Sequence, residues 1–310
     1  MNSDVKKKNR IIVITSGKGG VGKTTTTANI GTSLARFGYK VALLDSDIGL
    51  RNLDLLLGLE NRILYTAMDV INGECRLDQA LVRDKRYKNL AFMAISKTGL
   101  KYNVTRNNMQ NLVESLDALG FEFILIDCPA GIDVGFINAI STASEAILVT
   151  TPDITAIRDA DRVTAILEAN GIYDIKLLVN RVRNEMVKKG EMMSVIDIQE
   201  MLGLPLLGVI PEDKRVIIST NKGEPVVMGN DLPLSPEKVG VILAGRGFEF
   251  ATQRLVNNDN LSNSKLSEQE VGEVDKHSLL LGSRVLKKFT QLWDSNSDES
   301  NVYTNETDKF

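Results

Sequence analysis

One nine-residue stretch restricts the fold more than any other feature of this chain: Gly17-Lys18-Gly19-Gly20-Val21-Gly22-Lys23-Thr24-Thr25. It follows an apolar run at residues 11–14 and opens a helical stretch at 23–37 that Gly38 breaks. The stretch fits G-x-x-x-x-G-K-[ST], the Walker A loop, in the strand–loop–helix setting that pattern requires. Its glycines let the backbone wrap with the N–H groups pointing inward, and the helix N-terminus adds its dipole, so the loop is an anion nest. Lys23 supplies a compact cation for β- and γ-phosphates, and the Thr24 hydroxyl is a hard oxygen ligand for Mg²⁺.

The rest of the chain is written to suit such a loop. Short runs of Val, Ile and Leu recur at 41–44, 90–95, 123–126, 146–149, 175–179 and 206–210, several of them nearly continuous, as strands buried on both faces are. Helical stretches separate most of them, among them 155–171 and 194–202. Alternating strands and helices predict an α/β fold of the P-loop NTPase type, with a mostly parallel sheet and helices on both faces. Residues 1–256 form this expected ATPase domain. Residues 257–277, rich in Asn, Ser and Glu, read as a polar linker; 278–293 as a C-terminal amphipathic helix; 294–310 as an acidic tail whose composition predicts disorder. Two cysteines and one histidine supply neither a disulfide framework nor a zinc cluster. Low cysteine usage points to a reducing compartment. No run of about 18 apolar residues is present, and residues 1–10 carry no signal core.

Carboxylates stand where such a sheet would need them. Asp45 and Asp47 end the second run; strand alternation would place both on one face if the strand continued through them. One can order the waters of Mg²⁺ while the other orients an attacking water; helix capping or loop solvation is the plainer alternative. Asp127 closes the run at 123–126, a Walker B arrangement that sets a carboxylate near the metal. Gly131 would let the following backbone approach a γ-phosphate, and Cys128 reads as packing.

Lys18 is a second lysine inside the loop that a general Walker A motif does not demand. The string GKGGVGKTT resembles the deviant Walker A of the MinD/ParA family of ATPases. DSDIGLRNLDLLLGLE, DCPAGID, TPDITAIRDADR and VIPED resemble the septum-placing members of that family, and the resemblance spans roughly residues 10–235. It implies ATP and Mg²⁺ as ligand and cofactor, and a homodimer formed on ATP binding. Lys18 would reach across that dimer to the partner's nucleotide, a cation for the charge that develops in phosphoryl transfer. The resemblance gives Asp47 the hydrolytic water, Asp45 and Asp127 the Mg²⁺, and Asn180 with Pro211, Glu212 and Asp213 the border of the adenine. It places the helix bearing Arg158, Asp159 and Asp161 near the dimer face. It also implies a MinE-type activator, a MinC-type inhibitor, and a place in bacterial cytoplasm or plastid stroma, peripheral on the inner membrane.

On a helix over 278–293, Leu281, Val285, Phe289 and Leu292 share a stripe flanked by Leu286 and Trp293, with Arg284, Lys287 and Lys288 opposite. Leu280 falls on the polar side. Sixteen residues reach only about 24 Å, so the helix would lie on an anionic membrane rather than cross it. The whole chain has a formal charge of -3, which excludes a uniformly basic nucleic-acid binder. That small figure conceals the helix's three cations, unaccompanied by any acid and set between two acidic segments. A helix docked on the domain's own core is the structural alternative. The chain departs from the family in the string GVILAGRGFEF at 240–250, glycine-rich where the family has a plain helix; Gly245 and Gly247 are expected to break or kink it. The functional rival is a ParA-type partition ATPase that binds DNA instead of membrane; no nucleic acid is expected here, since no DNA-binding segment precedes residue 11. An iron–sulfur ATPase would need Cys ligands that this chain lacks, and a non-catalytic scaffold would lack Lys18, Lys23, Thr24 or Asp47, all of which are present.

Overall fold

The computed structural model describes residues 9–47, 51–96, 104–129, 131–231 and 243–257. The helix expected at 278–293, its linker beyond 257 and the tail lie outside the described residues.

Seven strands form where the apolar runs predict them: β1 (Arg10–Thr15), β2 (Val41–Asp45), β4 (Leu90–Ala94), β5 (Phe123–Asp127), β6 (Glu145–Thr150), β7 (Asp174–Val182) and β8 (Leu206–Pro211). An eighth, the two-residue β3 (Val82–Arg83), is too short to announce itself in sequence. The order across the sheet is β3-β4-β2-β5-β1-β6-β7-β8. Every pairing is parallel except β3 with β4. The chain leaves β1 towards β2 on one side and returns to build β6, β7 and β8 on the other. β1 is thus central, and the loop after it opens at the carboxyl end of the sheet, where open α/β sheets bind ligands.

Residue alternation explains the two-sided core. In β5, Ile124 and Ile126 join one cluster while Phe123 and Leu125 join the other; in β2, Ala42 and Leu44 oppose Val41 and Leu43 in the same way. The first cluster is covered by α5 (Arg106–Ala118), α7 (Ile154–Ala169) and α9 (Val195–Leu202), through side chains such as Leu112, Leu116, Val163, Leu167 and Ile198. The second is covered by α1 (Lys23–Arg36) and α11 (Leu243–Asn257), through Ile30, Leu34, Phe248, Ala251 and Leu255. Each such buried Leu, Ile or Phe contributes roughly 1.5–3 kcal/mol.

Helix ends follow local chemistry. Asp153 begins α7 by accepting from the Ala156 N–H at 3.0 Å, and Ser194 begins α9 with a capping box closed by Asp197. Gly203, left-handed at φ 64°, ends α9. The expected break at Gly245 and Gly247 does not occur: α11 runs unbroken through both. The reason is packing. A Cβ on Gly247 would stand 2.8 Å from the Val209 carbonyl oxygen, and one on Gly208 would stand 2.8 Å from the Ala251 Cβ. These glycines let α11 lie directly on β8.

Candidate nucleotide site at the strand ends

Three strand ends supply the site. The loop after β1 turns through Gly20 (φ 77°) and Gly22 (φ 104°), left-handed conformations that a side chain strongly disfavours. Gly17 presses against α7, and an added Cβ would strike the Asp159 backbone. The loop therefore has walls on both sides, and its glycines are needed for space as well as for conformation. Lys23, at the first turn of α1, is buried, and its Nζ donates to Ser16 Oγ at 2.9 Å. Ser16 Oγ in turn donates to the Lys18 carbonyl at 2.8 Å, so the two ends of the loop are tied together.

Asp45 and Asp127 end β2 and β5 in the same register. Thr27 Oγ1, one turn beyond Lys23, donates to Asp127 Oδ1 at 3.0 Å, and the Thr24 hydroxyl also bonds this carboxylate. Burial, reinforced by the charge of Asp45, pushes Asp127 up to about 7 against the pull of Thr24, Thr27 and Lys23. Burial likewise pushes Asp45 up to about 6, even though its oxygens accept backbone N–H groups from Asp47, Asn52 and Leu53. Two neighbouring carboxylates that resist ionising together are a pair short of positive charge. A divalent cation suits them: Mg²⁺ needs only one or two carboxylates beside phosphate and water oxygens, and the Thr24 hydroxyl adds a third hard donor.

Asp47 differs in detail from its expectation. β2 stops at Asp45, so no strand alternation carries Asp47; instead its backbone N–H donates to Asp45 Oδ1 at 3.1 Å and its half-buried side chain sits beside the pair. Cys128 is packing, as read from sequence: it is buried, and burial raises its thiol far above the usual range.

Lys18 does not point into its own loop. Its Nζ donates to Asp153 Oδ1 at 3.0 Å and to Thr155 Oγ1 at 2.8 Å, at the start of α7. Burial opposes the charge on Asp153, yet the Thr151 and Thr155 hydroxyls, the Ala156 N–H and Lys18 together hold its carboxyl well below the usual range. Arg158, Asp159 and Asp161 lie on the same helix, with Asp159 half-buried against Gly17 and in reach of Arg162 at 3.9 Å. At the other side of the loop, Asn180 on β7 donates through Nδ2 to the Val21 carbonyl at 2.7 Å. Pro211 ends the adjacent β8; Glu212 pairs with Arg183, and Asp213 caps α10 (Lys214–Asn221), accepting from the Arg215 N–H at 2.9 Å.

Ser16 and Thr27 are members of this arrangement that lie outside the quoted motifs, while Asp153 and Thr155 lie inside TPDITAIRDADR, which gives them no stated role. Thr27 has a readable signal, lying one helical turn beyond Lys23 on the same face. The bonds of Ser16, Asp153 and Thr155 are not readable in one dimension, because they join the loop to itself or to α7.

A strand-loop-helix anion nest beside two neighbouring buried carboxylates, both pushed up in pKa, defines a nucleotide-binding P-loop protein. The sequence pattern of the CobQ/CobB/MinD/ParA nucleotide binding domain matches residues 12–226. A septum site-determining MinD of Chlorella vulgaris is 71% identical over 247 residues, covering 80% of this chain and 84% of that one. The chloroplastic septum site-determining MinD homologue of Arabidopsis thaliana is 59% identical over 265 residues, 84% of this chain and 78% of its own. Among solved structures, MinD in the MinC:MinD cell division complex of Aquifex aeolicus aligns with a TM-score of 0.71 at 43% identity, over 80% of this chain and 96% of that one. The Pyrococcus horikoshii MinD complexed with Mg-ADP aligns at 0.69 and 29% identity, over 84% and 100%. The chain belongs to the MinD/ParA family of nucleotide-binding ATPase folds, and within it to the septum site-determining MinD group.

Proposed function

We propose that this chain is a Mg²⁺-dependent ATPase that helps place the division septum of a plastid, alternating between a free form and a dimer attached to the membrane. The observation that carries the reading is the convergence of Lys23, Thr24, Asp45 and Asp127 at the ends of β1, β2 and β5. Backbone N–H groups at 17–25 and the dipole of α1 would receive the phosphates, and Lys23 would neutralise the β–γ bridge. Thr24, Asp45 and Asp127 would hold the metal, which when bound screens phosphate charge and relieves the repulsion between the two carboxylates. Asp47 would orient the attacking water. Asn180 with Pro211, Glu212 and Asp213 would border the base.

Lys18 gives the geometry a reason to dimerise. On its own chain its ammonium is partnered by Asp153 and Thr155. Released across a two-fold face, it would supply the partner's γ-phosphate with the second cation that phosphoryl transfer favours. The bond to Asp153 is half-exposed, so its net stabilisation is at most about 1 kcal/mol and it is readily exchanged.

The amphipathic stretch at 278–293 would be the membrane anchor, separated by the polar linker from the ATPase domain at 1–256. Among the described residues no helix is long and apolar enough to cross a membrane. A MinE-type protein would stimulate hydrolysis and a MinC-type protein would bind the dimer, as the Aquifex complex pairs MinC with MinD. Identities of 71% and 59% to septum-site relatives favour this reading over a DNA-partition ATPase. Co-sedimentation of the full chain with anionic liposomes tests it. Pelleting with ATP but not with ADP or without nucleotide is expected; equal pelleting in all three states overturns the coupling of nucleotide to membrane.

A further inference from the structure

We infer that Ser46 is a positioning residue for hydrolysis: its hydroxyl clips the chain leaving β2 onto β5 and so aims Asp47. β2 stops at Asp45, yet Ser46 stays joined to its neighbour. Its backbone N–H donates to the Asp127 carbonyl at 3.1 Å, and its Oγ donates to the same oxygen at 2.5 Å. A carbonyl oxygen has two lone pairs, so it accepts both. Ser46 is 8% exposed, which leaves its hydroxyl dependent on a protein acceptor rather than on water. One N–H bond alone would let the departing backbone pivot about the carbonyl. Two bonds from one residue to one oxygen close a ring through N, Cα, Cβ and Oγ, and that ring fixes where the next residue starts.

The anchor of this clip is firm. Asp127 is paired with β1 on one side and β2 on the other, in register with Ile14 and with Asp45. The freedom removed by the hydroxyl is therefore that of the chain after Asp45, not that of β5. Asp47 follows at once, and its own N–H donates to Asp45 Oδ1 at 3.1 Å. Ser46 thus makes Asp45, Asp47 and Asp127 one rigid set, although it acts on the reaction only through Asp47. Removing the hydroxyl orphans no acceptor, because residue 46 keeps its N–H on the Asp127 carbonyl. The fold and the nucleotide site should survive, and what should be lost is the aim of Asp47.

This inference rests on the reading of Asp47 as the residue that orients the attacking water, and the test separates the two. Wild type, Ser46→Ala, Ser46→Thr and Asp47→Asn are compared in the full chain by three measurements: single-turnover hydrolysis of Mg-ATP, calorimetric affinity for Mg-ADP, and amide hydrogen exchange at Asp47. In Ser46→Ala the hydrolysis rate should fall and the Asp47 amide should exchange faster, each by about tenfold, as expected for a lost buried hydrogen bond that had oriented a reacting group. Mg-ADP affinity should stay at the wild-type value. Ser46→Thr restores the hydroxyl and should return both rate and exchange towards wild type, whereas a merely structural serine would move neither rate nor exchange at fixed affinity. Unchanged exchange or an unchanged rate in Ser46→Ala, a parallel fall in Mg-ADP affinity, or a Ser46→Thr no better than Ser46→Ala overturns the inference. Hydrolysis by Asp47→Asn at the wild-type rate overturns the role of Asp47 instead, and the exchange at Asp47 then still reports whether the clip exists.

Discussion

At the scale of single residues, Asp45 and Asp127 dominate the electrostatics of the site and set its pH dependence. Both carboxyls titrate higher in the folded chain than in an unfolded one, to about 6 and about 7 against 3.8. The folded state therefore holds their protons more tightly, and the stabilisation this gives is complete below pH 3.8 and is lost as pH rises through 6 and 7. Carboxylates held low, such as Glu145 beside Arg10 and Lys176, and Asp84 beside Arg86, lose their contribution only on the acid side of the ordinary carboxylate range. Between pH 5 and pH 8, metal-free and nucleotide-free protein should thus melt at progressively lower temperature. Asp127→Asn, which removes the proton-binding group but keeps an acceptor for Thr27, should flatten that slope. Saturating Mg-ADP should flatten it as well, since a cation compensates the pair. Thermal melts across this range check all three, and a wild-type melting temperature that rises from pH 5 to pH 8 contradicts the assignment.

At the scale of elements, the close approach of α11 to β8 reverses the ordinary meaning of a helical glycine. Replacing an interior helical Gly by Ala normally gains roughly 0.5–1 kcal/mol. At Gly247 the new methyl would stand 2.8 Å from the Val209 carbonyl oxygen and 3.0 Å from Ile210 Cδ1. Overpacking of this kind costs about 1–3 kcal/mol, which exceeds the propensity gain. Gly247→Ala should therefore lower the melting temperature by about 2–4 °C, the shift that 1 kcal/mol produces in a domain of this size. A higher melting temperature would mean that propensity outweighs the approach. The same two residues show why parts of the fold were legible and others were not. β5 could be read from Phe-Ile-Leu-Ile-Asp because a strand buried on both faces needs no partner to identify it. The course of α11 could not, because whether Gly245 and Gly247 break a helix depends on a strand some forty residues earlier. α10 is not legible for a related reason: none of its residues is fully buried and only Val216 packs partly against the core, so no apolar period marks it. Of the site, the loop and the strand-end carboxylates were legible through spacing, whereas the attachment of Lys18 to Asp153 joins positions 135 residues apart that only folding brings together.

At the scale of the whole molecule, the question is how a nucleotide held by 17–25 could govern the amphipathic stretch at 278–293 that we propose as the anchor. Phosphate binding does not have to propagate through the domain. With its three cations this stretch, as an amphipathic helix, would attach weakly, at about 1 kcal/mol per cation near an anionic surface, plus the burial of its apolar stripe. One copy per particle gives reversible attachment. Two copies on the proposed ATP-bound dimer would make the second insertion intramolecular and raise avidity by roughly 10²–10⁴-fold. The apolar stripe of Leu281, Val285, Phe289 and Leu292 is then the feature to disrupt. Phe289→Glu removes the largest side chain of the stripe and puts an anion at an anionic surface. Liposome binding in ATP should disappear, while ATP affinity measured without lipid stays at the wild-type value, as expected if position 289 lies in a separate anchor outside the ATPase domain proposed for 1–256. If the variant still pellets with liposomes, the stripe is not the anchor. If it also loses ATP affinity in the absence of lipid, the helix packs on the ATPase domain instead and the separation of anchor from motor fails.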